Sequence, residues 1–102
     1  MAYLVELSTR AEQDLNQIAQ RISAGESAAA VRWFDGLDKA ISTLENFPRR
    51  CPITPESRKT KQGLRHLLYR SMRIIYEIDE ARELVRVVAI RHSAMDEFEV
   101  ER

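Results

Sequence analysis

A chain of 102 residues suits one domain with one core, and 44% hydrophobic with 31% charged residues is the balance of an ordinary soluble globular protein. Sixteen basic against sixteen acidic residues give zero formal net charge, which argues against a protein that coats nucleic acid through charge alone. No apolar run approaches a membrane span, and a single cysteine, Cys51, excludes an internal disulfide. The opening Met-Ala-Tyr-Leu-Val-Glu lacks the basic start and apolar core of a signal peptide, so the expected location is the cytoplasm.

Tyr3 to Leu7 alternates in polarity and reads as a short first strand. Thr9 and Glu12 then stand at capping-box spacing. Ala11, Leu15, Ile18 and Ile22 follow at intervals of four, three and four, which predicts an amphipathic helix over Thr9–Ser23, ended by Gly25. A second helix is expected from Ser27, with Ala30, Trp33, Phe34, Leu37, Ala40, Ile41, Leu44 and Phe47 on its apolar stripe and Pro48 as its stop. Gly36 inside it costs about 1 kcal/mol relative to alanine unless close packing needs it. The short connection predicts an antiparallel helical hairpin. Residues 46–62, with three prolines and two basic pairs, read as a loop crossing to the sheet.

Three further strands are expected at Gly63–Tyr69, Met72–Asp79 and Leu84–Arg91, each rich in branched and aromatic residues. The acidic tail Ser93–Arg102 completes the chain. The fold class is therefore α+β in the order β-α-α-β-β-β. A small, mainly antiparallel sheet carries the helical hairpin on one face and leaves the other open, all within one domain spanning 1–102.

Charge is unevenly spread. Residues 49–76 hold eight basic residues and one acid, Glu56, whereas residues 1–48 hold four basic and seven acidic. Arg65, His66, Arg70, Arg73, Arg86, Arg91 and His92 are threaded through the strands. Alternation lets Ile74, Tyr76 and Ile78 be buried while Arg73 projects from the opposite face. A guanidinium-lined face suits an anion, either RNA phosphate or the carboxylates of a protein partner.

No metal-ligand spacing, phosphate-binding glycine loop or serine nucleophile motif is present, and neither a metal nor a cofactor is expected. The chemistry these residues fit is RNA cleavage by the 2′-hydroxyl, which needs a proton donor and acceptor and positive charge around the phosphorus. Arg73 would stabilise phosphate charge, Arg91 would orient or neutralise it, and His92 would transfer protons. Arg65, His66 and Arg70 would grip RNA or a partner. Strand alternation sets Arg91 and His92 on opposite faces, so one must reach the site by a strand end or a bulge.

Leu7–Ile18, Ala40-Ile41 with Leu44 and Phe47-Pro48, Gly63–Leu67, Arg73–Asp79 and Val88–His92 together resemble the RelE/ParE toxin superfamily of type II toxin–antitoxin and plasmid-stabilisation systems. The resemblance implies a growth-inhibiting toxin with a cognate antitoxin. In the RelE-like branch, basic residues on the open sheet face cleave mRNA on the ribosome. Arg73 matches the arginine opening the family's Arg-x-x-Tyr strand, Arg91 the arginine late in the last strand, and His92 a histidine of some nuclease members. Phe98 stands near the place of a catalytic tyrosine in several nucleases, and the paired lysines of some members are replaced by Leu64-Arg65-His66. The expectation is ribosome-dependent mRNA cleavage. The alternatives are ParE-like, non-enzymatic inhibition of DNA gyrase, favoured by Gly-Leu-Arg-x-Leu and the long second helix, or an inactive toxin-like fold.

Overall fold

The computed structural model describes residues 2–23, 28–54 and 63–92. Strand β1 spans Leu4–Leu7, helix α1 Thr9–Ser23, helix α2 Ala28–Ser42, and strands β2, β3 and β4 span Arg65–Tyr69, Met72–Asp79 and Leu84–His92. Gly25, Ser27, the second half of the long loop and the acidic tail lie outside the described residues.

The sheet runs in the order β1-β4-β3-β2. The last three strands form an antiparallel meander, and β1 joins β4 in parallel, Leu4 beside Leu84 and Leu7 beside Val87. The β-α-α-β-β-β order and the mainly antiparallel sheet agree with the sequence reading. The parallel pair is made possible by the two intervening helices and two strands, since a parallel neighbour needs a long connection.

Both helices contribute to the core on one face of the sheet. Ala11, Leu37, Leu44, Met72, Ile74, Tyr76, Val85, Val87 and Ile90 form one buried cluster, with Leu15, Ile18, Trp33, Phe34 and Ile41 packed against it. This is the stripe expected from the helical periodicity, with one correction. Helix α2 ends at Ser42 and tightens into a 3-10 turn at Thr43–Glu45, so Phe47 leaves the stripe and is 83% exposed. The break comes before Pro48, because Asn46 is already extended.

The other sheet face is less open than expected. Leu64, Ile75 and Ala89 are buried there, with Val88 packed against them. Adjacent apolar pairs such as Ile74-Ile75 and Ala89-Ile90 are the signature of a strand buried on both faces.

Where β1 ends, α1 takes over the edge of β4. The Ser8 hydroxyl donates to the Val88 carbonyl at 3.2 Å, and the Ile90 amide donates to the Asp14 carboxylate at 3.0 Å. Ser8 Oγ also accepts from the Ala11 amide at 3.1 Å, capping the helix. At the opposite end of the sheet, Glu80 accepts from the Tyr3 hydroxyl at 2.7 Å and pairs with Arg49. The Tyr3 hydrogen bond, more than Arg49, holds the Glu80 carboxyl below its ordinary value.

Two polar arrangements, one of them buried, hold the loop after α2. The Tyr76 hydroxyl donates to the Pro48 carbonyl, and burial first, then the Cys51 thiol, push its pKa up. The Arg65 guanidinium donates to the Cys51 carbonyl at 2.6 Å and the Arg49 carbonyl at 3.2 Å. Cys51 itself is a buried free thiol within the core.

Gly36 has a packing reason. A Cβ there would collide with the Tyr69 hydroxyl and stand 3.2 Å from its ring carbon. That hydroxyl donates to the Trp33 carbonyl at 2.8 Å, so the ring has little room to retreat. Gly36→Ala should therefore destabilise the fold, although helix propensity alone would make it a gain of about 1 kcal/mol. A stabilised variant in denaturant melts would refute the contact. Arg65→Met should cost about 1.5–3 kcal/mol, the scale of hydrogen bonds from a charged donor. A loss within error in the same melts would show that the two carbonyl contacts hold nothing together.

Candidate functional site

Paired residues on neighbouring strands share a face, so the second sheet face can be read in rows. Near the β2–β3 turn, Arg73 stands between Leu68 on β2 and Arg91 on β4. The next row is His66, Ile75 and Ala89. Farther along, Arg86 lies between Glu77 on β3 and Glu6 on β1, and it binds the Glu6 carboxylate at 3.1 Å. The site that emerges is the first two rows: Arg73, Arg91 and His66.

Arg73 is only 8% exposed, and its Nε donates to His66 Nδ1 at 3.4 Å. Accepting that bond requires an imidazole with an unprotonated Nδ1. Arg91 is half-buried directly across from Arg73. Two guanidinium groups on paired positions make this row locally positive. Its chemistry suits a carboxylate or a phosphate, and Arg91 and His66 are the members with more than marginal solvent access.

The structure does not bring the other expected residues to this row. His92 pairs with Met72, on the helix-covered face. It lines a cavity of about 680 Å³ between α1 and the ends of β3 and β4, together with Arg10, Asp14, Arg21, Trp33 and Arg91. Arg65 pairs with Tyr76 on that same face, and its guanidinium is engaged by loop carbonyls. Arg70 sits in the β2–β3 turn with a φ of 53°, its guanidinium 5.6 Å from the centroid of the Tyr69 ring.

For His92 the cause is strand alternation downstream of a bulge. Ile75 pairs with Ala89 but Tyr76 pairs with Val87, which leaves Val88 as an extra residue in β4. The bulge precedes both Arg91 and His92, so it shifts them together and cannot reunite them. The α1 residues of the cavity were missed by sequence reasoning, although Arg10, Asp14, Gln17 and Arg21 stand at helical spacing on one stripe.

Among the described residues, no three histidines, cysteines or carboxylates are grouped as metal ligands, and no helix is long and apolar enough to cross a membrane.

Comparisons with known proteins follow the same architecture. A family model described as the ParE toxin of type II toxin–antitoxin system, parDE, matches residues 5–97. No curated protein matches the chain significantly. Among solved structures, the chain is similar to the toxin–antitoxin complex RelBE2 from Mycobacterium tuberculosis, with TM-score 0.62 and 22% identity over 93% of this chain and 95% of that one. It is also similar to a chromosomal ParDE system from P. aeruginosa, with TM-score 0.68 and 12% identity over 89% and 96%. A mutant of E. coli toxin RelE in the free state aligns with TM-score 0.55 and 18% identity over 92% and 86%. At these identities the structures establish a shared fold, and the family match over residues 5–97 supplies the assignment: the chain belongs to the ParE toxin family of type II toxin–antitoxin systems.

Proposed function

We propose that this toxin acts without catalysis, by binding and inhibiting DNA gyrase, and that a cognate antitoxin silences it through the Arg91 end of the sheet. The observation that carries this reading is the split of the expected catalytic set. Arg73 and Arg91 share one face, and His92 lies on the other, where it meets Arg91 only at the rim of the α1 cavity and does not reach Arg73. Arg65 is committed to the loop carbonyls, and Arg73 is almost fully buried. Proton transfer needs its donor within hydrogen-bond reach of the reacting oxygen. A buried guanidinium on a two-sided strand is better suited to shaping a surface than to gripping a mobile RNA. The family match to the ParE branch supports the same reading.

One observation favours a second reading. His66 and Arg73 are already joined at 3.4 Å beside Arg91, so a nuclease built on this face would use His66 where the sequence pointed to His92.

On the antitoxin side, an acidic amphipathic segment that folds on binding would place carboxylates on Arg91 and beside His66. The solved structures of a toxin–antitoxin complex and a ParDE system support a cognate antitoxin as partner.

The test joins both parts. Purified toxin should stop gyrase from supercoiling relaxed plasmid, and adding antitoxin should restore supercoiling. Arg91→Glu should leave inhibition in place and raise the antitoxin concentration needed for rescue at least tenfold, about 1.4 kcal/mol. Full supercoiling at toxin concentrations that arrest growth would reject gyrase as the target. Unchanged rescue of Arg91→Glu would reject the antitoxin surface.

A further inference from the structure

Among the described residues, Phe47 is the most exposed of the large apolar side chains, at 83%. Its backbone is also left-handed, with φ 48° and ψ 55°. A phenyl side chain is poorly suited to that conformation, which glycine or asparagine adopts at lower cost. The sequence thus accepts backbone strain and leaves the ring in water. Leu4, Val31, Ile53 and Leu68 are exposed too, but none of them has a positive φ.

The loop around Phe47 is not free to turn the ring inward. Arg50 donates to the carbonyls of Thr43, Asn46 and Phe47 at 3.3, 2.9 and 3.3 Å and to the Thr43 hydroxyl at 2.7 Å. The Arg50 amide also donates to the Phe47 carbonyl, at 3.1 Å. On the other side, Pro48 is buried and its carbonyl is held by the Tyr76 hydroxyl. Arg49 is tied to Glu80, which Tyr3 also holds. Every residue next to Phe47 is anchored, and only its ring is not. Strain that the surroundings over-determine in this way clusters at binding sites, where it pre-organises a contact.

We propose that Phe47 is the apolar anchor by which the toxin grips its protein target, entering an apolar pocket rimmed by carboxylates. Aromatic side chains, phenylalanine included, are enriched in the buried cores of protein interfaces, where the few high-energy contacts cluster. The acidic rim follows from the neighbours. Arg49 and Arg50 follow the ring by two and three residues, and the Arg49 side chain is 62% exposed despite its ion pair. Arg49 pairs with Glu80, at the end of β3 remote from Arg73, so this surface is separate from the one assigned to the antitoxin. The inference rests on the gyrase reading and says which part of the toxin makes that contact.

The variants are Phe47→Asn, which suits a left-handed backbone, and Phe47→Tyr, which keeps the ring. Relief of strain should raise the melting temperature of Phe47→Asn by about 4 °C or more. The same variant should need at least about 30-fold more protein for half-inhibition of gyrase supercoiling, the scale of a hot-spot side chain. Phe47→Tyr, which keeps the ring but carries a hydroxyl into an apolar pocket, should inhibit more weakly than wild type and more strongly than Phe47→Asn. A more stable but weaker toxin cannot be explained by loss of fold. If wild type inhibits gyrase and Phe47→Asn matches it within threefold, the anchor is refuted and the gyrase reading stands. If wild type does not inhibit gyrase, that reading falls and growth arrest decides the anchor. Undiminished arrest by Phe47→Asn overturns it, and lost arrest assigns Phe47 to another target.

Discussion

The extra residue Val88 decides whether a cation stands beside Arg73. On the side of the bulge toward the β3–β4 turn, Val87 pairs with Tyr76 and Val85 with Ile78, all on the helix-covered face. An unbroken ladder would continue that pairing to Ile90 against Arg73 and Arg91 against Met72. The extra residue advances β4 by one position, so that Arg91 meets Arg73 and Ile90 meets Ile74 in the core. The bulge is held from outside the sheet, by Ser8 on the Val88 carbonyl and Asp14 on the Ile90 amide. The start of α1 thus controls the register of cations that it does not touch through those bonds.

This coupling also accounts for the short first strand. β1 pairs with β4 only as far as Val87, one residue before the bulge. Beyond that point the β4 edge would expose unpaired amides and carbonyls, and side chains at the start of α1 satisfy them. The central strand β3 is buried from Met72 to Tyr76, with Ile74 and Tyr76 toward the helices and Arg73 and Ile75 toward the other side. A guanidinium at such a position carries a desolvation cost and needs acceptors, of which His66 is one.

Much of the fold was legible in the residues. The extent of α1 follows from the Ala11–Leu15–Ile18 stripe, although Ser8, not the Thr9 of the expected capping box, caps it, and the β3 limits follow from the branched run between Ser71 and Asp79. The end of α2 was less so, because Phe47 fits the helical period and only the extended Asn46 shows that the helix has already stopped. The place of β1 beside β4 depends on contacts some eighty residues apart, which no local pattern carries. Of the site, the Arg73–Arg91 pair was visible as charge among strand residues. The engagement of Arg65 by two carbonyls was not, because it depends on a loop backbone that approaches from elsewhere, and the nearness of His66 to Arg73 was not, because it depends on strand register.

The central claim is that alternation after the bulge keeps His92 away from the Arg73–Arg91 row and leaves a binding surface there. Primer extension on mRNA under translation tests this most directly. With wild-type toxin added to a ribosome-programmed system, the account predicts the same 5′ ends as in the toxin-free control. New ends within translated codons that vanish with His92→Ala would contradict it.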